Sequence, residues 1–426
     1  MNPRSPTERS NTSGLRVADL QQQQRTSKGS RPKCAPELRV ALLTGGGDKP
    51  YALGLATALA NQAVLLDFIG SDDLAVPELL RETRINFLNL RGDQRSSASA
   101  MEKRMRVLRY YRNLLGYAAV STPRIFHLLW NNKFQIFDRT FLMLYYRVLG
   151  KRLLLTAHNV NAGKRDRNDS LWNRLSLKIQ YRMSDHIFVH TEKMKSEMSE
   201  EFGIGKDKIS VIPFGINNTV PDTVLSRDQA KERLGLERGN RTILFFGNIA
   251  PYKGLHYLVA AFLDLVRSDD SYRLVIAGKP KGSEEYWAKI SCIIDGSGKG
   301  DRIIQKIQYI PDDETEVYFK AADVLVLPYT QIFQSGVLFL GYAFGLPVIA
   351  ADVGSLKDDI LEGETGFVCE TENATELART VRRYFGSPLF RDLDRQRVLI
   401  KQFAKERYSW SKVAAITTAV YAELLK

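Results

Sequence analysis

The feature that most narrows the fold is a series of short, densely branched apolar runs with no polar alternation inside them. Arg39 to Thr44 (RVALLT), Val64 to Ile69 (VLLDFI), Ile125 to Trp130 (IFHLLW), Leu153 to Ala157 (LLLTA), His186 to His190 (HIFVH) and Ile209 to Ile212 (ISVI) all have the length of a strand. A strand with one wet face alternates apolar and polar residues. A run without alternation is covered on both faces, as in a parallel sheet sandwiched between helices. Segments of helical pattern separate several of the runs, so crossover helices join them.

The pattern stops near Pro213 to Arg227, where Gly215, Asn217, Asn218, Pro221 and Ser226 cluster as they do in linkers. It restarts with Thr242 to Phe246, Leu274 to Ala277, Ile303 to Ile310, Val324 to Leu327 and Val348 to Ala350. Two doubly wound α/β halves facing across a cleft follow, with ligands expected at the carboxyl ends of the strands. The expected divisions are a disordered polar tail over 1–36, a first half over 37–220, a second half over 221–407 and a closing helix over 408–426. In that helix Val413, Ile416, Val420 and Leu424 form one apolar stripe, which must cover its own domain or cross back to the first.

Composition removes several classes. The 426 residues are 44% hydrophobic and 26% charged, which suits two globular domains and not a mostly disordered chain. The longest apolar stretch, Phe141 to Leu149, already carries Arg147 and is too short to span a bilayer. Cys34, Cys292 and Cys369 are scattered without metal-ligand spacing, which points to a reducing, cytoplasmic setting. Met1 to Pro36 lacks the apolar core of a secretion signal. The net charge of +13 favours an anionic partner. No nucleic-acid module is recognisable, so nucleic acid ranks far behind a phosphate-bearing substrate or anionic lipid.

Several segments have the residues for chemistry. In Ile243 to Gly254 (ILFFGNIAPYKG) a strand ends before Gly247, and a loop delivers Lys253 just ahead of a helix marked by Leu255, Leu258, Val259, Phe262 and Val266. A lysine beside the free N–H groups of a helix start suits a diphosphate, although a solvated loop lysine reads equally well. After Val324 to Leu327, the run through Gln334, Ser335 and Gly336 leads into a second helix, where Ser335 can hold a ligand oxygen or cap the helix. Gly45, Gly46, Gly47 and Asp48 follow the opening strand, as a close approach to ligand or as an ordinary turn. His158 stands at a carboxyl strand end, able to orient a sugar, accept a proton or satisfy a loop, while His186 and His190 read as structural. Met101 to Tyr117 interleaves Lys103, Arg104, Arg106, Arg109 and Arg112 with tyrosines, and Met101, Met105, Leu108 and Leu115 share a face. It reads as a helix on anionic lipid or as a solvated helix packed on the sheet. No closely spaced metal constellation is seen.

Three segments together carry a family resemblance. FFGNIAPYKGLHYLVAAF, AADVLVLPYTQIFQSGVLFLGYAFGLPVIAADVGSLKDDILEGETGFV and the closing YSWSKVAAITTAVYAELL resemble, in that order, the phosphate loop, donor-binding core and C-terminal helix of family 4 glycosyltransferases of the GT-B fold. The resemblance implies a metal-independent, cofactor-free transfer from a nucleoside-diphosphate sugar to a saccharide or lipid-linked acceptor, with retention. It implies that the closing helix crosses back to the first half. It assigns the diphosphate to Lys253, with Gly247 and Asn248 in the phosphate loop, Gly45 to Gly47 near the leaving group, His158 on the donor sugar, and Ile310 on the donor side. Three positions depart from the pattern. Asn248 stands where many members have arginine, and the paired glutamates fall on Ile332 and Leu340. Gln334, Ser335 and Tyr342 are the expected surrogates, and Asp48 or His158 the base of an inverting path. The loss also admits a catalytically silent, glycosyltransferase-like partner protein.

Overall fold

The computed structural model describes residues 37–95, 97–165, 169–216 and 220–426; the polar tail over 1–36 and Asn217 and Asn218 of the linker lie outside them. Seven parallel strands form the first sheet: β1 (Arg39–Leu43), β2 (Leu65–Gly70), β3 (Ile85–Asn89), β4 (Ile125–Leu128), β5 (Arg152–Thr156), β6 (His186–Val189) and β7 (Ile209–Val211). Their spatial order is β3-β2-β1-β4-β5-β6-β7. The second sheet has β8 (Arg241–Phe246), β9 (Tyr272–Ala277), β10 (Ile303–Lys306), β11 (Val324–Leu327), β12 (Val348–Ala351) and β13 (Gly366–Cys369), in the order β10-β9-β8-β11-β12-β13. The fold is two doubly wound α/β units, as expected.

In β1, Val40 and Leu42 join one hydrophobic cluster while Ala41 and Leu43 join another on the opposite face. Both faces of the strand are dry, which is why its sequence does not alternate. Two strands escaped the sequence reading, β3 (INFLN) and β13 (GFVC), and each is the edge of its sheet. An edge strand loses one neighbour and part of its cover, so β3 admits the exposed or half-exposed Asn86 and Asn89 that disguise it. The expected strand over Ile303 to Ile310 ends at Lys306, because the chain turns there toward the helix Asp312–Ala321.

Each sheet reverses its winding once, between β1 and β4 and between β8 and β11. Such a switch point opens a crevice at the carboxyl ends of the central strands. Gly45 to Asp48 leave β1 at the first crevice. Gly247 to Lys253 leave β8, and Pro328 to Ser335 leave β11, at the second.

The closing helix, Trp410–Leu424, buries Trp410, Val413, Ala414, Val420 and Tyr421 in the cluster that holds Val40 and Leu42, so it crosses back to the first half. Ile416 and Leu424 pack partly buried on the same cluster. A Cβ on Gly54, in the helix Lys49–Asn61, would lie 2.2 Å from the Trp410 ring, so only glycine lets the two helices meet there. The Trp410 indole N–H donates to the Ile216 carbonyl at 2.8 Å, fastening the strap to the linker as well.

Candidate functional site

A cavity of about 260 Å³ lies where loops from the two halves face each other. Asp48, Tyr51, Phe214 and Trp410 come to it from the first half, the linker and the strap. Tyr252, Lys253, Ile332, Gln334, Ser335, Gly336 and Leu340 come to it from the second half.

Lys253 occupies the last position of a short 3₁₀ turn (Pro251–Lys253) before the helix Leu255–Ser268. Gly254 joins them at φ +64°, where an added Cβ would sit 1.8 Å from the Pro328 carbonyl, so glycine is required. The Lys253 side chain is only 7% exposed, and its ammonium lies 5.4 Å from the centre of the Tyr329 ring. Burial pushes the Tyr329 phenol up to about 12, so it stays protonated beside that cation. Gly247, at φ +101°, leaves the ammonium room: a Cβ there would come within 3.2 Å of Nζ.

The helix Gly336–Ala343 starts at the same cavity without a side-chain cap, while at the start of Leu255–Ser268, outside the cavity lining, the Tyr286 hydroxyl accepts the His256 N–H at 3.2 Å. Ser335 occupies the cap position of the former, yet its hydroxyl lies 3.4 Å from the Tyr329 hydroxyl instead of closing the helix. An uncapped helix start presents partial positive charge, and here one shares the cavity with a lysine.

Gln334 is held by Asp359, whose carboxylate accepts its Nε2 at 3.2 Å and the Tyr408 hydroxyl at 2.8 Å. Burial raises the Asp359 carboxyl, against the pull of Tyr408 and Gln334. The Gln334 Oε1 is buried without a partner, which gives the cavity an acceptor ready for a hydroxyl. Ile332 and Leu340 line the same space, so the positions expected for the paired glutamates do face the cavity, as apolar side chains.

Asp48 caps the helix Lys49–Asn61 by accepting from the Tyr51 N–H at 2.9 Å. Its surroundings raise its carboxyl, first by desolvation and then through the charge of Asp312, while the Tyr51 bond works against them. The three glycines before it are dictated by their own chain. Cβ atoms on Gly45 and Gly47 would collide with Trp130, and one on Gly46 with the Arg91 guanidinium.

The structure separates other expected residues from this cavity. Tyr342 is fully buried, and its hydroxyl donates to the Asp359 carbonyl at 2.8 Å with Thr365 Oγ1 at 2.9 Å. It therefore supports the segment behind the site and does not replace a glutamate. Ile310 lies past the end of β10 with its side chain in the core of the second half, so its side chain is not a donor contact. Asn248 lines a neighbouring opening of about 820 Å³ with Tyr252, Lys281 and Glu372. Lys281, which the sequence reading passed over, brings a cation to that same opening.

His158 lines a third cavity, of about 180 Å³, within the first half. Its ring stacks on Trp130 at 4.1 Å with 4° between planes, and meets Tyr51 edge-on at 4.6 Å. The Ile212 carbonyl, 3.3 Å from His190 Nδ1, can only accept, so Nδ1 carries the His190 proton. His190 Nε2 then accepts from His158 Nδ1 at 2.9 Å, which leaves a bare lone pair on His158 Nε2. That nitrogen is buried and unpartnered. Desolvation, then the neighbouring His190 and His127, pull His158 well below the usual imidazole range, and desolvation takes His190 down to about 4. His158 is a neutral acceptor in this conformation and does not share the cavity of Lys253. His190 thus directs its tautomer, a link between distant chain positions that no local pattern signals.

Comparison with known proteins agrees with this layout. The family described as Glycosyltransferase Family 4 matches residues 46–219, and the one described as Glycosyl transferases group 1 matches residues 240–386. Among curated proteins, the D-inositol 3-phosphate glycosyltransferases of Pseudarthrobacter chlorophenolicus and Streptomyces bingchenggensis are each 29% identical, over 55% and 57% of this chain. Those alignments cover 55% and 54% of the relatives, so the chain spans about half the length of the curated relatives it matches. Among solved structures, sucrose-phosphate synthase from Thermosynechococcus elongatus superposes with a TM-score of 0.73 at 19% identity, over 91% of this chain and 99% of that one. Anabaena HepE in complex with UDP and glucose gives 0.68 at 14% identity, over 91% and 100%. At such identities these two speak for the fold. With one family matched by each half, and both halves in the GT-B arrangement, the chain belongs to the family 4 glycosyltransferases.

Proposed function

We propose that the chain transfers a hexosyl unit from a nucleoside-diphosphate sugar, held in the second half, to a saccharide or lipid-linked saccharide met by the first half. The observation that carries this reading is the convergence of Lys253 and the uncapped start of Gly336–Ala343 on one cavity between the halves. As the sugar departs, negative charge grows on the diphosphate, and these groups are already in place to stabilise it. No metal is required in this reading. Gln334 Oε1, fixed by Asp359, accepts a hydroxyl of the ribose or the sugar, with Ser335 and Gly336 beside it.

The retained outcome implied by the family needs no protein base, because a leaving phosphate oxygen takes the acceptor proton. For an inverting path Asp48 is the better-placed base, since it lines the Lys253 cavity and its raised carboxyl makes a stronger acceptor. That one fold neighbour, Anabaena HepE, is described with UDP and with UDP-glucose makes UDP the first nucleotide to try. Assembly of a surface polysaccharide or glycoconjugate, at the cytoplasmic face of a membrane, is the setting proposed for this transfer.

One observation favours a second reading, a catalytically silent partner protein: Ile332 and Leu340 line the cavity where acidic side chains are expected. Thermal melts with UDP, GDP, ADP and their common sugar conjugates separate the two. Stabilisation by one nucleotide, lost in Lys253→Ala, supports transfer and names the base; a melt unmoved by every nucleotide overturns it in favour of the silent partner.

A further inference from the structure

The helix Ala100–Val120 packs on its sheet through Tyr110, Tyr111, Leu114 and Ala118. Its second apolar row, Met101, Met105 and Leu108, faces outward at 66%, 51% and 58% exposure. A row at i, i+4 and i+7 that the core does not use is unpartnered. It is also not alone. Of the twenty large hydrophobic side chains exposed among the described residues, twelve fall between Met101 and Leu175. Scattered exposed leucines are normal, but such a concentration marks a surface.

Two more helical stretches supply the rest. Over residues 135–148, Leu142, Met143 and Tyr146 turn inward while Phe141, Leu144 and Val148 face out. In Leu171–Met183, Leu177 and Tyr181 turn inward while Leu171, Trp172 and Leu175 face out, with Trp172 71% exposed. The stretches adjoin. The Phe134 ring stacks on Tyr111 of the first helix at 5.5 Å, and Arg139 donates to Asn173 of the third at 2.8 Å.

Charge selects the occupant. Arg104, Arg109 and Arg112 are exposed on the first helix, and Lys178 and Arg182 on the third, whose Arg174 is paired with Asp169 at 2.6 Å. The acids in these three stretches are Glu102 and Asp138, and Asp138 is buried. Apolar rows bordered by cations suit a surface whose outer layer is anionic and whose next layer is hydrocarbon. No described helix is long and apolar enough to cross a membrane, so the contact is one of lying on it.

We propose that these three stretches form one face that docks on an anionic lipid bilayer, with the outward Met, Phe, Leu and Trp side chains in the headgroup–acyl boundary. This extends the transferase reading by naming the surface at which a lipid-linked acceptor is met. The Arg112 that interrupts the row of the first helix then sits among lipid phosphates, where a cation belongs.

The test is co-sedimentation of the whole protein with vesicles of phosphatidylcholine alone and of phosphatidylcholine with phosphatidylglycerol in a roughly two-to-one ratio. The wild type is expected to pellet with the anionic vesicles, less so as salt rises, and weakly with the neutral ones. Phe141→Ser with Trp172→Ser should weaken the anionic binding at least about tenfold while the melting temperature holds, since both side chains are exposed. Lys178→Glu with Arg182→Glu should remove the preference for anionic vesicles. Wild-type protein left in the supernatant of both vesicles overturns the proposal and leaves the face to a protein partner; binding that survives the Phe141 and Trp172 changes overturns it as well. Nucleotide-induced stabilisation in the same preparation reports on the donor site separately, so failure here does not count as failure there.

Discussion

In the second half, side chains from both faces of the sheet join a single hydrophobic cluster made almost wholly by that half, with Tyr408 and, partly buried, Phe214, Ile216 and Val220 added to it. The first half is cut by its sheet into two clusters, and one of these is finished by Trp410, Val413 and Tyr421 from the far end of the chain. The second half thus closes its own core and hangs polar loops on a completed body, with Lys253 and Gln334 at their ends. The first half borrows a helix to close one face and leaves apolar rows uncovered on another. In the proposed transfer, two sheets of the same winding serve opposite ends of one reaction, one holding a charged small molecule and the other meeting a larger acceptor.

The borrowed helix offers the most forceful way to break this contrast. Trp410→Ala removes a buried ring that packs against Gly54, Gly215 and Tyr51. It should cost about 3–5 kcal/mol, the usual loss for a buried tryptophan. Hydrogen exchange should show protection falling in β1 and β2 well before β8 and β9. An even loss across both sheets would mean that the second half also depends on the strap.

Lys253→Ala comes next. It should lower turnover by about 100-fold, or about 2.7 kcal/mol, as loss of a preorganised group on developing negative charge does. The melting temperature without nucleotide serves as the control. Unchanged turnover would remove Lys253 from the chemistry.

Acid sharpens the contrast. Four of the five histidines, His127, His158, His186 and His190, lie in the first half. Burial holds His127 down to about 3 and His190 down to about 4. An unfolded histidine titrates near ~6.5, so as pH falls the unfolded chain takes up protons that the folded one refuses. The stability is complete above that pH and drains as pH drops toward the folded values, by roughly 1.4 kcal/mol per histidine per pH unit. Melts at neutral pH and near pH 5 should show the loss, with exchange quickening in the first sheet. A first sheet no more acid-sensitive than the second would contradict the buried assignment.

The smallest effect should come from Tyr342→Phe, which deletes a hydroxyl bonded to the Asp359 carbonyl and Thr365. A loss of about 1 kcal/mol in stability is expected, with donor affinity unchanged. A fall in donor affinity beyond what the lost stability explains would restore Tyr342 to the site.

The apolar runs of the central strands, the lysine ahead of its helix, the Gln-Ser-Gly turn and the stripe of the closing helix were all legible in the chain. Each rests on a local requirement: a strand dry on both faces, a helix start, or a helix with one apolar row. β3 was not legible, because the exposed Asn86 and Asn89 of that edge strand break the apolar pattern, and β13, though mostly buried, is a four-residue run opened by a glycine. Tertiary structure alone decided which polar groups meet. It put Gln334 on Asp359, set His190 to choose the tautomer of His158, withdrew Tyr342 and Ile310 into the core, and turned the Met101, Met105 and Leu108 row outward. Sequence periodicity says that a helix has two faces; only packing says which of them finds a partner.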